Sequence, residues 1–403
     1  MNRPAGAFVS SNGGDEQMVP ITNVEDLRVL AKAKLPRALF DYIDSGAYDE
    51  VTKGANTADF QAIGLRQRVM ADVAARSLET TILGTASAMP VVISPVGLAG
   101  LLAGGGNGEI FAARAAKAAG IPFGLSMLSI ATIEEIRAAT GREFWFHIMP
   151  LKDRGVIGSL MARAAAAGCP ALIVTVDWQV PSQSHRNVKN GLSFPPRLKL
   201  RDVWQYLAKP EWLLRTAGTR RSRACGNLIE AAAGSSSIAA WIGGQLDAGA
   251  TWEYIRWIRE HWRGKLIVKG ILDPRDAVEA VNSGADAVSV SNHGGTQLDG
   301  APSAISMLPI VADAIAGRAE ILFDSGIRSG QDVLKALASG ARACLLGRPY
   351  LYALGAAGET GVATMLSIIR REMDVNLALT GLRSVRDVTP DILHRQAGVR
   401  HVG

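Results

Sequence analysis

A histidine and two glycines follow an apolar run in Ala287-Val288-Ser289-Val290-Ser291-Asn292-His293-Gly294-Gly295-Thr296-Gln297-Leu298-Asp299-Gly300. The run predicts a buried strand opening into a loop, and the glycines predict that a ligand can approach the backbone there. An imidazole at such a junction is placed to take or give a proton. Polar residues recur at the ends of other apolar runs: Ser126, His147, Thr175, Asp177, Lys269, Asp324, Arg328 and Arg348. Each alone is explained by the needs of buried backbone groups. A row of them at the same end of successive strands predicts a site gathered from distant parts of the chain.

Two segments add an anion-binding signal. Asp324-Ser325-Gly326-Ile327-Arg328-Ser329-Gly330 and Leu346-Gly347-Arg348-Pro349 combine small residues with arginines. Exposed backbone N–H groups, a helix N-terminus and a guanidinium together make a phosphate site. The alternative is arginines paired with surface carboxylates. Gly104-Gly105-Gly106-Asn107-Gly108 lacks the spacing and downstream acid of a dinucleotide fingerprint and predicts a turn before a helix from Glu109.

These residues need a scaffold that aims them at one place. Apolar strands are predicted at Pro90–Pro95, Pro122–Ser126, Phe144–Met149, Ala171–Asp177, Leu266–Gly270, Ala287–Ser291, Glu320–Asp324 and Ala343–Gly347. Helical segments lie between them, among them Glu109–Ala119, Ile133–Ala139, Ile157–Ala167, Pro274–Ser283 and Gln331–Ser339. Strands apolar on both faces, alternating with helices, predict a parallel sheet, and eight such units predict an α/β (β/α)8 TIM barrel. A doubly wound sheet is the alternative. An N-terminal helical segment precedes the barrel, and a long insertion of about 180–250 follows strand four. The domain is predicted over 21–385, with tails at 1–20 and 386–403.

The insertion carries Arg197, Lys199, Arg201, Lys209, Arg215, Arg220, Arg221 and Arg223, interleaved with Trp204, Tyr206 and Trp212. A lid, a peripheral contact with anionic lipid and a solvated excursion packed on the barrel are all compatible with this pattern. The 403 residues, 48% hydrophobic and 20% charged, suffice for one large core. A net charge of +6 is mild, and no nucleic-acid motif accompanies it. Cys169, Cys225 and Cys344 are far apart, which predicts a reducing, cytoplasmic setting. Nowhere do eighteen apolar residues follow one another, so no spanning helix is expected.

The decapeptide, the arginine segments and Phe40-Asp41-Tyr42-Ile43-Asp44-Ser45-Gly46 resemble the FMN-dependent α-hydroxy-acid oxidases and dehydrogenases, over about residues 22 to 385. The resemblance implies an FMN flavoprotein that oxidises CH–OH, forms a homotetramer and passes electrons to oxygen, a quinone or a redox protein. It implies that the backbone of Pro95, Val96 and Gly97 faces the isoalloxazine ring. Ser126, His147 and Thr175 would bond to that ring, with Lys269 near its N1 and C2 carbonyl edge. Ser291, Asp324, Ser325, Gly326 and Gly347 would line the flavin site, Asp324 on the ribityl chain, and Arg328 and Arg348 would take the phosphate. His293 is implied as the base, Asp177 as its partner, and Tyr42 as a substrate contact.

Several positions depart from the family pattern. Thr296 and Ser184 stand where the family has arginines, the first of them the residue that holds the substrate carboxylate. Met149 replaces a tyrosine, His147 a glutamine and Ser325 a glycine. A buried carboxylate without its partner costs roughly 3–5 kcal/mol. The expected substrate is therefore a CH–OH compound without a free neighbouring carboxylate. Besides a flavin-binding protein whose catalysis has lapsed, two alternatives stay open. Arg186 or His185 compensates and the substrate is an ordinary 2-hydroxy acid, or a CH–NH centre is oxidised, since Asp177-Trp178 also resembles the pre-mycofactocin synthases.

Overall fold

The computed structural model describes residues 20–103, 105–191, 204–217, 225–235 and 237–395. Among them, eight parallel strands form one sheet: β1 (Val91–Ile93), β2 (Gly124–Ser126), β3 (Trp145–Ile148), β4 (Ala171–Thr175), β5 (Lys265–Ile271), β6 (Ala287–Val290), β7 (Glu320–Asp324) and β8 (Ala343–Leu346). From β2 on, each strand pairs with the next, and β8 pairs with β1. A bridge from Ile93 to Phe123 closes the ring. This is the expected TIM barrel, and all eight predicted strands are present.

The alternation within the strands explains why the site is at one end. Trp145, Ile173, Ile267 and Leu322 belong to the apolar cluster that fills the barrel, while their neighbours Phe146, Leu172, Val268 and Phe323 join the core outside the sheet. Two residues further along, on the same inward face, stand His147, Thr175, Lys269 and Asp324. The inward row thus turns polar at the C-terminal end. At the other end a hairpin of Thr80–Ile82 and Thr85–Ser87 inserts Ile82 and Leu83 into the inner cluster. The Leu83 N–H donates to Glu320 Oε2 at 2.9 Å, which ties the plug to β7.

Two expectations are corrected, and a third falls outside the described residues. The folded chain continues past 385, because Leu393–Arg395 pairs antiparallel with Ile63–Leu65. That pairing joins segments over 300 residues apart and has no local signal. The predicted tail at 1–20 lies outside the described residues except Pro20. The insertion is not one loop: it contains helices His185–Lys189, Trp204–Leu207, Pro210–Ala217 and Ile238–Gln245, although most of its basic residues fall outside the described part. One helix, Arg348–Leu379, is long and apolar enough to cross a membrane. Its helical geometry breaks at Ala357 and Gly358, and it packs against Val24–Lys34 and Gly108–Ala118, so it is a core helix of the barrel. The three cysteines are buried and free, and burial pushes the Cys169 and Cys225 thiols up to about 12.

Candidate active site

A cavity of about 550 Å³ opens at the C-terminal ends of the strands. It is lined by Tyr42, Pro95, Val96, Gly97, Ser126, His147, Met149, Thr175, Ser184, Lys269, His293, Thr296, Asp324, Ser325, Gly326, Arg328, Gly347 and Arg348. Every expected site residue except Asp177 and Ser291 is therefore at the cavity wall. Those two stand directly behind it, bonded to His293 and Lys269.

His293, Gly294 and Gly295 have φ of +56°, +67° and +74°, a left-handed run that turns the imidazole back over the barrel. Glycine is required at the last two positions by protein packing. A Cβ on Gly294 would lie 2.6 Å from Arg348 Nη1, and one on Gly295 would lie 2.5 Å from Lys53 N. Gly294 lines the cavity, where a ligand can approach its backbone, whereas Gly295 admits the helix Val51–Ala62. His293 Nδ1 lies 3.0 Å from Asp177 Oδ1. A carboxylate only accepts, so Nδ1 carries the proton and Nε2 is left as the basic nitrogen. Asp177 is seated close to Gly270, whose φ is +103° and where a Cβ would come within 2.6 Å of Asp177 Oδ1. Gly270→Ala is expected to push the carboxylate off the imidazole and slow flavin reduction by about a hundredfold with FMN still bound. Stopped-flow rates alongside flavin content check this.

Beneath the histidine, Lys269 Nζ is 2.7 Å from Asp324 Oδ2 and donates to Ser291 Oγ at 3.2 Å; Ser291 Oγ in turn donates to Asp324 at 2.9 Å. Burial opposes the lysine charge, but Asp324 and Asp177 outweigh it and its pKa is raised. Asp324, implied as a ribityl contact, here serves as the counter-ion of this cation. His147 sits between two hydroxyls, Nδ1 3.3 Å from Ser126 Oγ and Nε2 2.8 Å from Thr175 Oγ1. Burial, with the positive charge of Lys269, holds its pKa well below the ordinary value, so the ring is neutral. Ser325 has φ +95°, a region that suits glycine, and its hydroxyl accepts the Gly294 N–H at 2.9 Å. That bond ties the histidine loop to the β7 loop and offsets part of a strain of roughly 1–3 kcal/mol.

The two arginines behave differently. Arg328 Nη1 donates to Ile327 O, and no carboxylate bonds to its guanidinium among the described residues. Burial pulls its pKa down, and an anion would restore what burial removes. Arg348 instead clips three backbone carbonyls, of Ile43, Ser45 and Gly294, at 2.7–3.1 Å. Arg348 thus braces the N-terminal segment against the histidine loop, and with five N–H donors and a place on the cavity wall it keeps two for an anion. An under-paired Arg328, open space at Gly347 before a long helix, a buried cation and a neutral imidazole fit a phosphate-bearing group with an anionic ring edge.

The substrate side is built from neutral residues. Tyr42 donates to Gly97 O at 3.0 Å, and burial raises its pKa. Thr296 donates to His293 O at 2.7 Å. Ser184 caps His185–Lys189 and donates to Ser45 Oγ at 3.0 Å. Trp178, Ser182, Gln183, Asn187 and Gln297 also line the cavity and escaped the sequence reading, although each belongs to the β4 or β6 loop that supplied the expected residues. Arg186 pairs with Asp41, Asp44 and Glu50 and does not line the cavity. His185 lies 3.9 Å from Asp49 and does not line it either. Compensation by either residue is therefore not what the structure shows.

Comparison with known proteins agrees with this architecture. Residues 31–395 match the model of the family described as FMN-dependent dehydrogenase. An L-lactate dehydrogenase of Caulobacter vibrioides is 44% identical over 376 residues, 93% of this chain and 97% of that protein. One from Yersinia pestis is 45% identical over 371 residues, 91% of this chain and 97% of that protein. Among solved structures, the monotopic membrane protein (S)-mandelate dehydrogenase superposes with a TM-score of 0.88 at 36% identity, covering 93% of this chain and all of that one. A mandelate oxidase arginine-to-leucine variant with 2-hydroxy-phenylacetamide gives 0.79 at 34% identity, covering 94% and 100%. The barrel, its polar rim and these matches together make the chain a member of the FMN-dependent dehydrogenase family, an oxidoreductase with FMN as its cofactor.

Proposed function

We propose that this enzyme oxidises the CH–OH carbon of a 2-hydroxy acid derivative in which the neighbouring carbonyl is uncharged, an amide or ester. The carrying observation is the charge of the wall. Apart from His293, the cations lining the cavity among the described residues are Lys269, Arg328 and Arg348. Lys269 is paired with Asp324, Arg348 holds three carbonyls, and Arg328 belongs to the β7 loop where the phosphate is expected. Beside His293 there remain Thr296, Ser184 and Met149, none able to replace a guanidinium. The names of the relatives place their substrates among 2-hydroxy acids and related compounds, and one of them carries an amide.

When bound, FMN supplies the two-electron acceptor. Lys269 would stabilise negative charge at its N1 edge, His147, Ser126 and Thr175 would bond to its polar edge, and Arg328 would take its phosphate. Pro95, Val96 and Gly97 would offer it their backbone. His293 Nε2 takes one of the two protons lost as CH–OH becomes C=O, and Asp177 holds the imidazolium that results. Tyr42 orients the substrate oxygen. Anaerobic mixing with glycolate, lactate, mandelate, their amides and a lactam tests the reading by flavin bleaching. Rapid reduction by the free acids would sink it, and reduction by the lactam alone would move the reaction to a CH–NH centre.

The acceptor side is read from the insertion. Trp204, Leu207 and Leu214 are exposed on its two short helices, with Lys209 and Arg215 beside them. Apolar residues among cations suit the surface of an anionic bilayer, with a quinone as acceptor. Co-sedimentation with anionic vesicles, lost in Trp204→Ser/Leu214→Ser, checks this contact.

A further inference from the structure

Asn187 lies in the middle of the five-residue helix His185–Lys189 and lines the cavity. Asparagine is a poor helix former, so its place in a helix asks for a reason. Its backbone N–H takes the Ser184 cap at 3.3 Å, while its side-chain Oδ1 is buried with no hydrogen-bond partner among the described residues. A buried acceptor left open costs roughly 1–3 kcal/mol. The helix itself is held rigidly. Arg186 pairs with Asp41 and Asp44, and Asn190 Nδ2 donates to Asp41 Oδ2 at 2.6 Å, so Asn187 is presented at a fixed place on the cavity wall that Thr296 and Ser184 also line.

We infer that Asn187 is a specificity residue that recognises the carboxamide of an α-hydroxy amide, pairing with it amide to amide. This rests on the proposed uncharged substrate and narrows it from amide or ester to amide. A carboxamide offers one acceptor and two donors, so its natural complement is a second carboxamide. The same chain shows the arrangement: Asn56 and Asn292 exchange two bonds of 2.8 Å each. Rotation about the terminal torsion of asparagine is broad, so the open oxygen turns toward a ligand at little cost. An ester accepts but cannot donate, and it leaves Oδ1 unpaired. A free carboxylate sets negative charge against that oxygen. Trp178, Met149 and Leu128 supply apolar wall for the rest of the molecule.

The test is equilibrium binding to the FMN-loaded enzyme, read by perturbation of the flavin absorbance under conditions where turnover is blocked by His293→Gln. The probes are 2-hydroxy-phenylacetamide, methyl mandelate and mandelate. With Asn187 present the amide is expected to bind about tenfold more tightly than the ester. In Asn187→Leu the two are expected within threefold of each other, through loss of amide affinity. Asn187→Asp, which keeps the shape of the helix, is expected to retain an acceptor and part of the preference while weakening mandelate further. An amide-to-ester ratio unchanged in both variants would overturn the role of Asn187 and leave the uncharged-substrate reading standing. Tight binding of mandelate with neither neutral probe bound would overturn both.

Discussion

Replacing His293 with glutamine is expected to slow flavin reduction by about 10²- to 10⁴-fold while FMN stays bound. The magnitude is that of a positioned general base. The geometry directs the loss to chemistry, because His293 touches the fold mainly through its backbone and Asp177. Its φ of +56° is maintained by neighbours: Asn292 is locked to Asn56 and accepts the Gly295 N–H at 3.1 Å, while Arg348 and Ser325 fasten Gly294. Glutamine therefore takes the same backbone position without offering a base. The 450-nm band of the purified variant should match that of the parent, and its rate of bleaching by substrate should not. A variant that reduces at the parental rate would show that the proton leaves by another route.

The second large effect is a gain. Thr296→Arg combined with Ser184→Arg is expected to tighten mandelate binding and speed its oxidation by about a hundredfold or more, since a desolvated guanidinium–carboxylate pair is worth roughly 3–5 kcal/mol to the partner left behind. Both positions line the cavity and are half-buried. The cost is local: Thr296 gives up its bond to His293 O, and Ser184 gives up its cap and its bond to Ser45. Caps of this kind are worth about 1 kcal/mol, too little to unfold the barrel. Steady-state kcat/KM for mandelate measures the gain. No gain, with FMN content unchanged, would place the specificity in other parts of the wall.

The barrel was legible because parallel strands buried on both faces leave an unmistakable local mark, and because the inward alternation runs from Ile173 to Thr175 and from Leu322 to Asp324 without a break. The candidate site was legible for the same reason: strand ends locate side chains even when their partners are unknown. What stayed hidden was partnership across distance. That Arg348 also holds Ile43 and Ser45, some 300 residues away, and that Arg186 pairs with Asp41 and Asp44 has no local signal. Gly295 reads as room for a ligand until Lys53 is seen to fill the space. Asn187 sits in an irregular insertion where neither period nor motif marks it, and only its unpartnered oxygen draws it out.

The account turns on the charge of the group beside the reacting carbon. Mandelate and 2-hydroxy-phenylacetamide share the aryl ring and the CH–OH centre and differ in whether the neighbouring carbonyl is ionised. Measured anaerobically under identical conditions, the second-order rate of flavin reduction by the amide should exceed that by mandelate by about a hundredfold. Mandelate reducing the flavin as fast as the amide, or faster, would contradict the account and make this an ordinary 2-hydroxy-acid dehydrogenase.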